Sequence, residues 1–105
     1  MTPAVLHILL SLSAEDRHGL GIAADVKEFT NGRLVLGPGT LYGTIKRLLD
    51  AGMVEDLGQP SAGEDDPRRR YYRLTAKGRK ALALETEDMA SVLTVARRRR
   101  VLKPS

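Results

Sequence analysis

The sequence predicts a mainly α-helical fold with a small β-hairpin, closed by one helix longer than the body that carries it. Three observations predict this. Apolar residues recur at three- and four-residue spacing along most of the chain, whereas strand-like character is confined to two short pieces, 53–57 and 70–74. The final helix-forming stretch runs from Thr75 to about Leu102, interrupted only by Gly78. Fully helical, it would be about 42 Å long at 1.5 Å per residue, although a compact domain of this size has a radius of gyration of only about 13 Å. It must project from the body.

The 105 residues include no Cys and no Trp, with 42% apolar and 29% charged, the profile of one globular domain. A chain of roughly 100 residues hides only about two-thirds of its unfolded surface, which argues against an enzyme with an enclosed cavity. Without cysteine, a disulfide framework and a thiolate metal site are excluded, and a reducing, cytoplasmic setting is expected. Val5 to Leu12 is too short to span a bilayer, is broken by His7 and has no basic residue before it, so neither a signal peptide nor a membrane span is expected.

Taken in order, Thr2 reads as an N-cap with Pro3 at the first helical position, and Val5, Leu6, Ile8, Leu9, Leu10 and Leu12 crowd a first, buried helix. Ser13 to Arg17 is polar and loop-like. Ile22, Ala23, Val26 and Phe29 then mark a second helix from about Gly19 to Thr30, stopped by Asn31-Gly32. After the extended piece Leu34-Val35-Leu36, Gly37-Pro38-Gly39 breaks the chain before a third helix beginning at Thr40. Leu41, Ile45, Leu48 and Leu49 form its apolar face, and Thr40, Gly43, Thr44, Lys46, Arg47 and Asp50 the opposite one, until Gly52 ends it. The two strand-like pieces flank a loop, 58–69, rich in Gly, Pro, Ser and acid. In the last helix Leu82, Met89 and Ala96 are spaced by sevens, and Val92, Leu93 and Val95 widen the stripe into a seam that its own chain cannot cover. A second copy is the natural cover.

Charge is distributed unevenly along this order. The formal net charge is +4, yet residues 1–53 carry five basic and five acidic side chains, and 68–80 carry seven basic ones with no acid. Such a local positive field suits phosphate. Three helices followed by a basic hairpin form a winged helix-turn-helix. A short third helix with small exposed side chains fits a major groove about 12 Å wide, and the hairpin would lie over the adjacent backbone or minor groove. Double-stranded DNA is therefore the expected partner, with Thr40, Tyr42, Gly43, Thr44, Lys46 and Arg47 on the reading helix and Arg68, Arg69, Arg70 and Arg73 on the wing. Strand alternation places Arg70 with Tyr72 and Leu74, and Arg69 and Arg73 with Tyr71, so the arginines cannot all face DNA together.

No catalytic constellation is present. His7 reads as a core histidine and His18 as a helix cap, Glu64-Asp65-Asp66 lacks the spacing of a calcium loop, and 37–46 lacks the Gly-Lys-Ser/Thr ending of a phosphate-binding loop. Neither a metal nor another cofactor is expected. Arg97 to Arg100 complements the helix dipole at the end of the last helix.

The chain also resembles the PadR-type transcriptional regulators. The resemblance is carried by Thr2 to Leu6, His18 to Ile22, Gly37-Pro38-Gly39-Thr40-Leu41-Tyr42 running into Lys46-Arg47-Leu48-Leu49 and Gly52, and Arg70-Tyr71-Tyr72-Arg73-Leu74-Thr75 with Gly78-Arg79. Leu20 stands where that family commonly has an aromatic residue. The resemblance implies a dimeric winged-helix transcription factor, usually a repressor, in which residues 1–75 bind a palindromic operator and the C-terminal helix, 76–105, dimerises through Leu82, Met89, Val92, Leu93 and Ala96. It also implies, for some members, a response to a small hydrophobic effector. Two readings from other classes are a protein-interaction module that uses the winged helix as a scaffold, and a non-specific nucleic-acid binder.

Overall fold

The computed structural model describes residues 1–58 and 69–103. Helix α1 (Pro3–Ala14) begins where Thr2 accepts the Val5 amide at 3.2 Å and Pro3 occupies the first turn. Ile8, Leu9 and Leu12 are buried on its inner side. His7 is half-buried instead of belonging to the core: its ring nitrogen lies 2.6 Å from the Pro3 carbonyl oxygen, and the ring stacks on Phe29. Residues 13–17 are not all loop. Arg17–His18 form a two-residue strand, β1, which is too short for any alternation to show in the sequence.

Helix α2 (Gly19–Phe29) follows directly, and the His18 ring accepts the Gly21 amide at 2.9 Å as its cap. Thr30 ends it, with Asn31 and Gly32 in the left-handed region. Helix α3 (Pro38–Asp50) starts two residues before the expected Thr40, because Gly37 serves as the N-cap and Pro38 is pre-set for the first helical position. Val54–Gly58 and Tyr71–Leu74 form β2 and β3, joined with β1 in an antiparallel sheet of order β1-β3-β2. The tip of the hairpin, with Arg68 and the acids 64–66, lies outside the described residues.

Helix α4 (Ala76–Arg98) has 23 residues, not the 28 expected. Arg100 turns left-handed at φ 60°, and the Val101 amide returns to the Ala96 carbonyl at 2.9 Å, which closes the helix without a glycine. At about 35 Å it still outreaches the body, giving a molecule of 57 × 28 × 21 Å. Its first turns are not free. Gly78 is buried, and Leu82, expected in the dimer seam, is only 6% exposed and belongs to the core with Ile8, Leu9, Ile22, Ile45 and Leu74. The seven-residue spacing is real, but its first position is covered by the chain itself. Among the described residues, no helix is long and apolar enough to cross a membrane, and no cluster of His, Asp and Glu could hold a metal ion.

Candidate nucleic-acid interface

Helical phase decides which side chains α3 presents. Leu41, Ile45 and Leu48 point inward, and Thr40, Gly43, Lys46 and Arg47 are exposed on the far side. Side chains added at Gly37, Gly39 or Gly43 would meet nothing, so the backbone at the start of the helix stands bare. Its first amides lack intrahelical acceptors.

Two expected members of this set are placed differently. Thr44 is 1% exposed: it lies three residues after Leu41 and four before Leu48, on the buried stripe, and its hydroxyl accepts from the Arg47 guanidinium at 3.5 Å. It steadies Arg47 instead of meeting a partner. Tyr42 is half-buried, with its hydroxyl oxygen enclosed against Gly19. A Cβ at Gly19 would stand 2.7 Å from that oxygen, so glycine there admits the ring. The phenol does not reach the surface that Lys46 and Arg47 share.

The wing is less positive than its sequence. Arg70 donates to Asp56 on β2 at 2.8 Å, and Arg73 pairs with Asp16 at 3.1 Å and Glu55 at 3.6 Å. Burial would raise the Asp56 carboxyl, but the hydrogen bonds from Arg70 and the Gly58 amide, with the Arg70 charge, outweigh it and hold it below the ordinary range. Burial first, then the Asp56 charge, pushes the Tyr72 phenol up. Lys77 and Arg79 turn back onto the carbonyls of Ala51 (2.7 Å) and Ser13 (3.5 Å). Arg69 and Lys80 are exposed. The alternation expected of β3 is present, with Tyr72 and Leu74 buried and Arg73 outside.

The acids that engage the wing went unnoticed in the sequence because Asp56 lies 14 residues from Arg70 and Asp16 lies 57 from Arg73, while Glu55 reaches Arg73 from another strand. Only pairing of β3 with its neighbours brings them together. On α4, Met89, Val92 and Leu93 are exposed, Val92 by 67%, and with Glu85 and Asp88 they line an open apolar groove; Ala96, one turn further on, is half-buried.

Residues 5–84 match the model of the transcriptional regulator PadR-like family. Among proteins similar in sequence, the uncharacterized 37.1 kDa protein in transposon TN4556 of Streptomyces fradiae is 34% identical over 87 residues, which are 83% of this chain. The chain spans only 23% of that protein's length. Protein X of Lysinibacillus sphaericus is 30% identical over 81% of this chain and 76% of its own. Among solved structures, a PadR family transcription regulator from Clostridium difficile superposes with a TM-score of 0.77 at 24% identity, over 92% of this chain and 97% of that one. RosR of H. salinarum gives 0.71 at 29% identity, over 96% and 86%. Bacillus subtilis PadR, solved in complex with operator DNA, gives 0.65 at 22% identity, over 75% and 44%.

Proposed function

The chain belongs to the PadR-like family of transcriptional regulators, and on that premise we propose that it is a cytoplasmic, homodimeric repressor that sets α3 of each protomer into successive major grooves of a palindromic operator. It is a regulator and not an enzyme. The observation that carries the DNA reading is the bare N-terminal face of α3, with Thr40, Gly43, Lys46 and Arg47 exposed and nothing in front of Gly39 or Gly43. Arg47 suits bidentate contact with guanine and Lys46 a phosphate. Arg68 and Arg69 extend the contact along the backbone, while Arg70 and Arg73 stay engaged by Asp56, Asp16 and Glu55 and hold the wing in shape. The B. subtilis relative on its operator supports the same use of this fold.

Residues 1–75 supply the DNA contact and 76–105 the dimer contact, through Met89, Val92, Leu93 and Ala96. The exposure of this seam in a single chain supports a second copy as its cover.

Selection of bound duplexes from a random pool tests the proposal. The expected product is an inverted repeat with half-sites about 34 Å apart, not displaced by single-stranded or A-form competitors. Arg47→Ala is expected to lose about 1–3 kcal/mol at one base pair of each half-site. A uniform loss across sequences would make Arg47 a phosphate contact, and asymmetric or unselected duplexes would overturn the operator reading.

A further inference from the structure

The end of α3 and the start of α4 are joined by an unusual run of bonds. Three successive backbone carbonyls beyond α3 each accept from the first residues of α4 or its cap. Ala51 accepts from the Lys77 ammonium at 2.7 Å, Gly52 from the Thr75 hydroxyl at 2.7 Å, and Met53 from the Thr75 amide at 3.0 Å. Gly52 adopts φ 74°, which turns these carbonyls out of the α3 axis toward α4. The Thr75 hydroxyl also accepts the Gly78 amide at 3.1 Å, so one group caps α4 and holds α3. Gly78 lies so close against the Met53 carbonyl that no side chain fits between them. The Lys77 ammonium, at the negative end of α3, adds a favourable charge to its hydrogen bond.

We infer that Thr75, Lys77 and Gly78 are positioning residues that lock the direction of the reading helix to that of α4, and so set the half-site spacing the dimer accepts without touching DNA. The inference rests on the dimer reading above. If α4 joins the protomers, the separation and angle of the two α3 helices are inherited through this junction. A side-chain ammonium and a hydroxyl hold it, both at exposed hydrogen bonds. The shared core of Leu41, Ile45, Leu48 and Leu82 still holds α3 in place, so loosening these bonds widens the range of angles between α3 and α4 while leaving the groove contacts of α3 intact.

The test uses the full chain, a duplex holding one half-site, and a panel of duplexes holding two half-sites whose spacing changes by single base pairs. The unaltered chain is expected to prefer its best spacing by about tenfold over one changed by two base pairs. Lys77→Met keeps the length of the side chain and removes the donor. It is expected to bind the single half-site within about twofold of the unaltered chain, and to flatten the spacing preference to about threefold or less. Lys77→Arg, which can still donate to Ala51, is expected to restore the preference.

Thr75→Ala set against Thr75→Ser, which keeps the hydroxyl, decides the same question from the second bond. Full spacing preference in Lys77→Met and Thr75→Ala overturns the inference. An equal loss on the single half-site and on every spacing also overturns it, because Lys77 would then be a DNA contact. An unaltered chain that sediments as a monomer and shows no spacing preference overturns the dimer reading instead, an outcome recognisable before any variant is made.

Discussion

A methyl group added to Gly78 would strike the Met53 carbonyl and the Leu74 side chain, and the first of these is backbone that cannot turn aside. Gly78→Ala is therefore expected to destabilise the chain by roughly 1–3 kcal/mol, although alanine is the better helix former. A lowered urea midpoint with an unchanged slope is the expected record. Asp56 gives a prediction in pH. Its folded-state pKa lies below the ordinary value of 3.8, so its contribution is complete above that value and is lost as pH falls through the folded one. The Asp56–Arg70 pair is partly exposed, which limits it to about 1 kcal/mol. Asp56→Asn should thus lower stability at pH 7, and the gap in urea midpoint should narrow as pH falls below 3.8 and through the lower folded-state value. A gap that did not narrow at all as pH fell below 3.8 would mean that the asparagine disturbs the strand itself. At this scale the sequence was readable where a local rule decides, as in the Thr2 and His18 caps. It was not readable where helical phase and packing override residue type, as at Thr44 and Tyr42, polar residues that α3 turns away from solvent or encloses.

The apolar residues of helix α4 are buried at one end of the helix and exposed further along it. Leu82 lies in the core of its own chain, and ten residues later Val92 stands 67% exposed. Leu82→Ala is accordingly expected to cost about 2–4 kcal/mol at any protein concentration. Val92→Glu should leave the unfolding of a single chain almost unchanged and shift sedimentation from dimer to monomer at micromolar concentration. If Val92→Glu remained dimeric, the protomers would meet through another face. The periodic apolar spacing made α1, α2 and α3 legible, with boundaries moved by one or two residues. Strand β1 was not, because two residues carry no period and their extended shape is imposed by β3. The C-terminus of α4 was overextended for a related reason. Arg99 to Leu102 are ordinary helix formers, and the left-handed turn at Arg100 has no glycine or asparagine to announce it.

For the molecule as a whole, the charge count along the chain and the charge available to a partner are different quantities. Seven cations between 68 and 80 suggest a strongly basic wing, yet Asp16, just before β1, and Glu55 and Asp56 on β2 engage Arg70 and Arg73, and Lys77 and Arg79 are turned onto the body. Lys46 and Arg47, from the half of the chain that is neutral on paper, stand exposed on the bare face of α3. The salt dependence of binding separates the two accounts. Each phosphate neutralised by a protein cation steepens the plot of log affinity against log salt by about 0.9, and a symmetric dimer counts every contact twice. Lys46→Ala is therefore expected to flatten the slope by about 2 for the dimer. Arg73→Ala, which removes a cation already compensated by Asp16 and Glu55, should leave it nearly unchanged while weakening the union of β1, β3 and β2. Fluorescence anisotropy on one operator duplex between about 50 and 300 mM salt resolves a difference of that size. An equal flattening by both variants would show that the Arg73 ion pairs open on DNA, and that the wing binds with the charge its sequence displays.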